Sequence, residues 1–128
     1  MKRSIVSLAV AIVVILSVVP MYAATINFFQ EMKPISVSAP YVSPTMTPQS
    51  DRISYSVSLM NGLATQSYTV YLQELSGGMW YNVENFTLAG HVGRSSSFDV
   101  TPGTTYRIRA TSTDSVSRTF YCWTYENV

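Results

Sequence analysis

Ile53, Tyr55, Val57 and Leu59 are separated by Ser54, Ser56 and Ser58, and this period of two limits the fold more than any other feature of the chain. In an extended strand the four apolar side chains share one face and the serines the other; a helix would scatter both sets around its circumference. The same reading predicts strands at Tyr68–Gln73, Met79–Val83, Phe86–Leu88, Ser96–Val100, Tyr106–Thr113 and Arg118–Tyr125. Gly77-Gly78 supplies the turn geometry between two of them. No segment after residue 24 sustains a 3.6-residue period, so the expected class is all-β, a two-sheet antiparallel β-sandwich following an N-terminal signal helix. Serine and threonine supply 28 of the last 105 residues. Because they alternate with apolar residues, they point to half-buried strands and away from a disordered stalk.

The signal helix is expected over residues 1–23, where Lys2 and Arg3 precede an apolar run from Ile5 to Leu16 that continues through Val18 and Val19 to Tyr22-Ala23-Ala24. This is the pattern of a secretory signal, and it predicts a secreted or extracellular protein, with association to a cell surface open. Cleavage after Ala23 leaves Met21 at the minus-three position, and cleavage after Ala24 leaves Tyr22 there, so neither cut has a small residue at that place. The alternative is a retained anchor, although Ile5–Val19 falls short of the about 20 residues that cross a bilayer as a helix. An uncleaved signal would be the chain's means of holding a membrane.

Residues 24–49 are expected to form N-terminal strands and a proline-rich crossing segment, and residues 50–128 the sandwich core. Pro34, Pro40, Pro44 and Pro48 exclude a regular central strand through Met32–Pro48, because proline cannot donate to a ladder. Ile35–Ala39 fits an edge strand between prolines, followed by an extended crossing loop. The competing reading is a flexible tether, against which stands Ile26-Asn27-Phe28-Phe29: a spacer gains nothing from two exposed phenylalanines. Beyond the signal, six basic side chains face seven acidic ones, leaving no basic field for a nucleic acid. Cys122 is the single cysteine, which excludes an intrachain disulfide and leaves burial, a bridge to a second chain, or chemistry.

Ser97-Phe98-Asp99-Val100 and Tyr106-Arg107-Ile108-Arg109-Ala110 flank Pro102-Gly103, a pair suited to a tight turn. The run Pro102-Gly103-Thr104-Thr105-Tyr106 resembles the turn between strands E and F of a fibronectin type III domain, a relative of the immunoglobulin-like sandwiches. Tyr68-x-Val70-x-Leu72 resembles its strand C, and Gly77-Gly78-x-Trp80-x-x-Val83 the turn and strand after it. The resemblance covers about residues 50–125. It departs at Ile53–Leu59, which lacks the tryptophan usual in strand B and offers Tyr55 in its place. It implies seven to nine strands in two sheets, with Tyr106 securing a corner, and it implies no activity.

Chemistry has few candidates. His91 stands between Gly90 and Gly93 with no second histidine at ligand spacing, so no metal site and no cofactor is predicted. Glu84 and Asp99 are the carboxylates nearest to it in sequence, and Ser95-Ser96-Ser97 shows no nucleophile elbow. A small secreted hydrolase or toxin-like effector using His91 is therefore the alternative to a non-catalytic binding or surface-interaction protein. Asn85-Phe86-Thr87 satisfies the glycosylation rule. Aromatic residues give the better lead: in Tyr121-Cys122-Trp123-Thr124-Tyr125 the three rings share one strand face and Cys122 and Thr124 the other. If the row points inward it is core; if outward, it is a platform for an extracellular carbohydrate or protein. Arg107 and Arg109 flank Ile108 and are expected on a solvent face, where they serve solubility or dock an acidic partner.

Overall fold

A computed structural model describes residues 24–128; the expected signal helix over 1–23 lies outside the described residues. Eight strands are present among the described residues: β1 (Thr25–Ile35), β2 (Tyr41–Val42), β3 (Arg52–Leu59), β4 (Ser67–Ser76), β5 (Met79–Ala89), β6 (Arg94–Asp99), β7 (Tyr106–Ser112) and β8 (Arg118–Asn127). They form two four-stranded antiparallel sheets, ordered β1-β8-β3-β6 and β2-β7-β4-β5. The protein is an all-β sandwich.

The period-two pattern explains how the sheets close on each other. Ile53, Tyr55 and Val57 of β3 are buried, as are Tyr68, Val70 and Leu72 of β4 and Tyr106, Ile108 and Ala110 of β7. Each large apolar side chain so buried contributes about 1.5–3 kcal/mol. Aromatic contacts then join strands. Tyr55 stacks on Phe98 with ring centroids 4.4 Å apart, and Phe120 of β8 meets Tyr41 at 5.2 Å and Tyr68 at 6.0 Å across the core.

The N-terminal strand begins earlier than its prolines suggest. It runs through Thr25–Ile35 and includes Pro34, which an edge strand tolerates because one side of its ladder is empty. Ile35–Ala39 is not the edge strand: Ser36 and Ala39 exchange backbone hydrogen bonds of 3.1 Å in a tight turn. The crossing segment is fixed along β7, with Met46 and Tyr106 exchanging backbone bonds of 2.8 and 2.7 Å and Gly103 donating to the Pro48 carbonyl at 2.9 Å. Phe86–Leu88 is not a separate strand. It continues β5 through a bulge, where Leu72 pairs with Glu84 and Gln73 with Asn82, leaving Val83 as the extra residue.

The turn expected at Pro102-Gly103 is present, with Gly103 at φ 83°, and Tyr106 Oη accepts the Thr101 N–H at 2.9 Å. Topology parts from the immunoglobulin-like plan at the last strand. There the final strand lies beside the equivalent of β7; here β8 lies in the other sheet, between β1 and β3.

The loop entering β8 is held by Asp114. Its carboxylate accepts the Val116 N–H at 2.8 Å and Arg118 Nε at 3.0 Å. The backbone donor first, and the guanidinium second, hold the carboxyl below the usual carboxylate range. A carboxyl whose folded pKa is depressed contributes stability that is fully present above its unfolded value and is lost as pH falls through the folded one. The difference in urea midpoint between the wild type and Asp114→Asn is therefore expected to be constant above about pH 5 and to shrink below about pH 4. A pH-independent difference would remove Asp114 as the source.

Candidate functional site

On β8, Phe120, Cys122, Thr124 and Glu126 are buried, so Tyr121, Trp123 and Tyr125 stand on the outer face of the sheet, each half-buried. The row expected to be either core or platform is on the outside. β8 is an inner strand of its sheet, and its neighbours show what surrounds each ring. Tyr125 pairs with Asn27 of β1 and Ser54 of β3; Trp123 pairs with Gln30 and Ser56; Tyr121 pairs with Met32 and Ser58. Beyond β3, Ser54 pairs with Ser97 and Ser56 with Ser95.

The face is therefore a ridge beside a terrace. Trp123 Nε1 donates to Asn27 Oδ1 at 3.1 Å, and Gln30 Nε2 donates to Tyr121 Oη at 3.1 Å, which ties both rings towards β1. Trp123 and Tyr125 pack at a centroid distance of 4.6 Å, within the range favoured by aromatic pairs. On the other flank the short serines of β3 and β6 leave the sheet surface low. Ser95 Oγ lies 2.9 Å from Ser56 Oγ and donates to it. At the Ser54 end the terrace meets a cavity of about 240 Å³ lined by Ser50, Asp51, Arg52, Ser54 and Asn127.

Arg107 and Arg109 are not part of this face. They belong to β7, in the opposite sheet. The Arg107 guanidinium lies 4.2 Å from the Trp80 ring centroid and its Nε donates to Gln73 Oε1 at 2.8 Å; Gln73 in turn donates to Asn82 Oδ1 at 2.9 Å. Arg107 is committed to its own sheet by a stacked ring and a hydrogen-bond relay, while Arg109 lies 5.9 Å from the Tyr71 centroid.

Cys122 is fully buried, and burial, then the nearby Glu31 carboxylate, pushes its thiol far above the ordinary cysteine range. The sulfur is a protonated core group, inaccessible to a second chain in the folded state. His91 is exposed on the turn after β5, and among the described residues its side chain has no hydrogen bond to a serine or carboxylate. No group of three or more His, Cys, Asp or Glu among the described residues could hold a metal ion. A second groove lies between β1 and β2, where Tyr41 Oη donates to Glu31 Oε1 at 2.6 Å. Its one carboxylate is thus already bonded to the groove wall.

Asn27, Gln30 and the five serines of the terrace escape a reading that looks only for reactive groups. The serines were visible in the sequence as the wet half of β3 and the Ser95–Ser97 run; their adjacency to the rings depends on β8 lying beside β3, which no local pattern encodes.

No family model matches the chain, and no curated protein matches it. A solved structure described as "Bacillus endospore appendages form a novel family of disulfide-linked pili" aligns with 81% of this chain and 89% of its own, at 12% identity and a TM-score of 0.49.

Proposed function

We propose that the protein is a secreted, non-catalytic binding domain that engages an extracellular partner through the outer face of β8. The observation that carries this reading is the placement of three aromatic side chains at successive outward positions of an inner strand. The core does not need them: Phe120, Cys122, Thr124 and Glu126 fill the inward positions of the same strand. Half-buried aromatic rings held by neighbouring polar groups give contact area at low entropic cost, which is why such residues dominate binding surfaces. The apolar leader with its basic start supports export. A hydrolase reading would need His91 beside a nucleophile or a carboxylate, and none is hydrogen-bonded to it among the described residues.

The test is retention of a partner from the medium or surface of the source cells by immobilised protein. Trp123→Ala/Tyr125→Ala is expected to weaken retention by about tenfold or more while the far-ultraviolet circular dichroism stays that of the parent. Equal retention by a folded double variant would remove this face as the binding site.

A further inference from the structure

We propose that the occupant of this face is an uncharged polysaccharide, lying along β8 with the aromatic ridge on one flank and the serine hydroxyls of β3 and β6 on the other. The inference rests on the binding role proposed above and names its ligand class.

Charge is the first discriminator. From the Met32 row to the Asn27 row, every outward side chain of the four strands is neutral: amide, thioether, aromatic or hydroxyl. At the end of the terrace the cavity holds Arg52, but Asp51 lines it too and Asp99 lies 3.9 Å from the Arg52 guanidinium. The opposite sheet of the same protein carries Arg107 and Arg109 on its outer face. The chain thus has one charged face and one neutral face, and an anionic polymer or an acidic protein would find no counter-charge on the neutral one.

Hydrogen-bond chemistry is the second. A serine hydroxyl offers one donor and two acceptor lone pairs. In the Ser95-to-Ser56 bond Ser95 spends its proton, so the Ser56 proton remains to point at a ligand, strengthened by the bond it accepts. An apolar protein partner laid on this terrace would bury those hydroxyls without partners, at about 1–3 kcal/mol each. A polyhydroxylated chain pairs with them instead, since each of its groups both donates and accepts. Its C–H faces meet the rings, whose lean towards β1 is fixed by Asn27 and Gln30.

Length is the third. Tyr121 to Tyr125 spans four residues of strand, about 13 Å, and the cavity at Ser54 extends the surface further. A ligand that touches all three rings is an oligomer, so affinity should climb with chain length.

Affinity electrophoresis of the protein in native gels cast with hydroxyethylcellulose, galactomannan, glycol chitin or dextran, and with alginate as the anionic comparison, tests the proposal. At least one uncharged polymer is expected to retard the protein and alginate not to. Retardation should fall by about tenfold in apparent affinity in Trp123→Ala and in Ser56→Glu, which keeps all three rings and places a charge on the terrace beside Trp123, and should persist in Arg109→Ala. The hexasaccharide of the retarding polymer should compete about tenfold better than its disaccharide. No retardation by any of the uncharged polymers, stronger retardation by alginate, or indifference to both Trp123→Ala and Ser56→Glu overturns the polysaccharide. If the polymers fail while a proteinaceous partner is retained in a Trp123-dependent way, the ligand class falls and the binding face stands. If retention is also independent of Trp123, both fall.

Discussion

Phe120→Ala is expected to cost about 3–5 kcal/mol, the range for removing a large aromatic side chain from a packed core. Phe120 is fully buried and meets Tyr41 and Tyr68, so it is the point at which β8 grips strands β2 and β4 of the other sheet. Both ring neighbours are tethered, which limits how far they can move into the space: Tyr41 is held by its bond to Glu31, and the Tyr68 hydroxyl donates to the Val92 carbonyl. Burial also pushes the Tyr68 phenol up to about 12, so it stays neutral and bonded through the whole useful pH range. Against a total of about 5–15 kcal/mol for a domain, the variant is left close to unfolding. Phe120→Leu, which keeps more of the volume, should lose less than half as much. Equilibrium urea unfolding measures both, and a loss under about 1 kcal/mol for the alanine variant would mean that the two sheets do not depend on this contact.

The alternation at Ile53–Leu59 was readable because each sheet has one dry face and one wet face, so burial writes itself into the sequence with a period of two. β8 was not readable in the same way. Both of its faces carry large or apolar residues, and hydrophobicity alone favours Tyr121, Trp123 and Tyr125 as the inner set. The choice is made by what lies opposite. Tyr55 pairs with Thr124 and Val57 with Cys122, and the bulk of Tyr55 and its stacked partner Phe98 needs small side chains on the facing positions of β8. Turning the strand over would drive aromatic rings into space already taken. Thr124 records the compromise: it fits the volume, yet its buried Oγ1 has no hydrogen-bond partner among the described residues.

The site inherits this limit. A ring row can be found in the sequence, and so can a serine row, but their meeting requires β8 to insert between β1 and β3. The fibronectin-like reading places the last strand in the other sheet. It would have set Tyr121, Trp123 and Tyr125 beside Arg107 and Arg109, a mixed aromatic and cationic surface with different ligand chemistry. The observed topology separates the arginines from the rings.

Glu126→Gln is expected to lower stability by about 2–3 kcal/mol, from the loss of charge-assisted hydrogen bonds at a buried acceptor. Glu126 is 1% exposed, and among the described residues no cation pairs with it. Its carboxylate instead accepts the backbone N–H groups of Gln49 and Ser50 at 3.0 Å, with the Ser50 hydroxyl 2.9 Å from Oε2. Nothing in the local sequence marks this acid as internal, because its donors lie more than seventy positions upstream, at the end of the crossing segment. Glutamine preserves the shape but puts an amide donor where one carboxylate oxygen accepted: with its oxygen in the Oε1 place the Ser50 N–H loses its acceptor, and with its oxygen in the Oε2 place both backbone N–H groups share one uncharged acceptor while the NH2 group faces the Gln49 N–H. The same turn lines the cavity at the end of the serine terrace. Two readouts are therefore expected to move together: the urea midpoint falls, and the Gln49 and Ser50 amides exchange with solvent faster than those of β7. Glu84→Gln, on an exposed stretch of β5, should leave both unchanged. Unaltered exchange at Gln49 and Ser50 in a destabilised Glu126→Gln would show that the carboxylate acts elsewhere than on this turn.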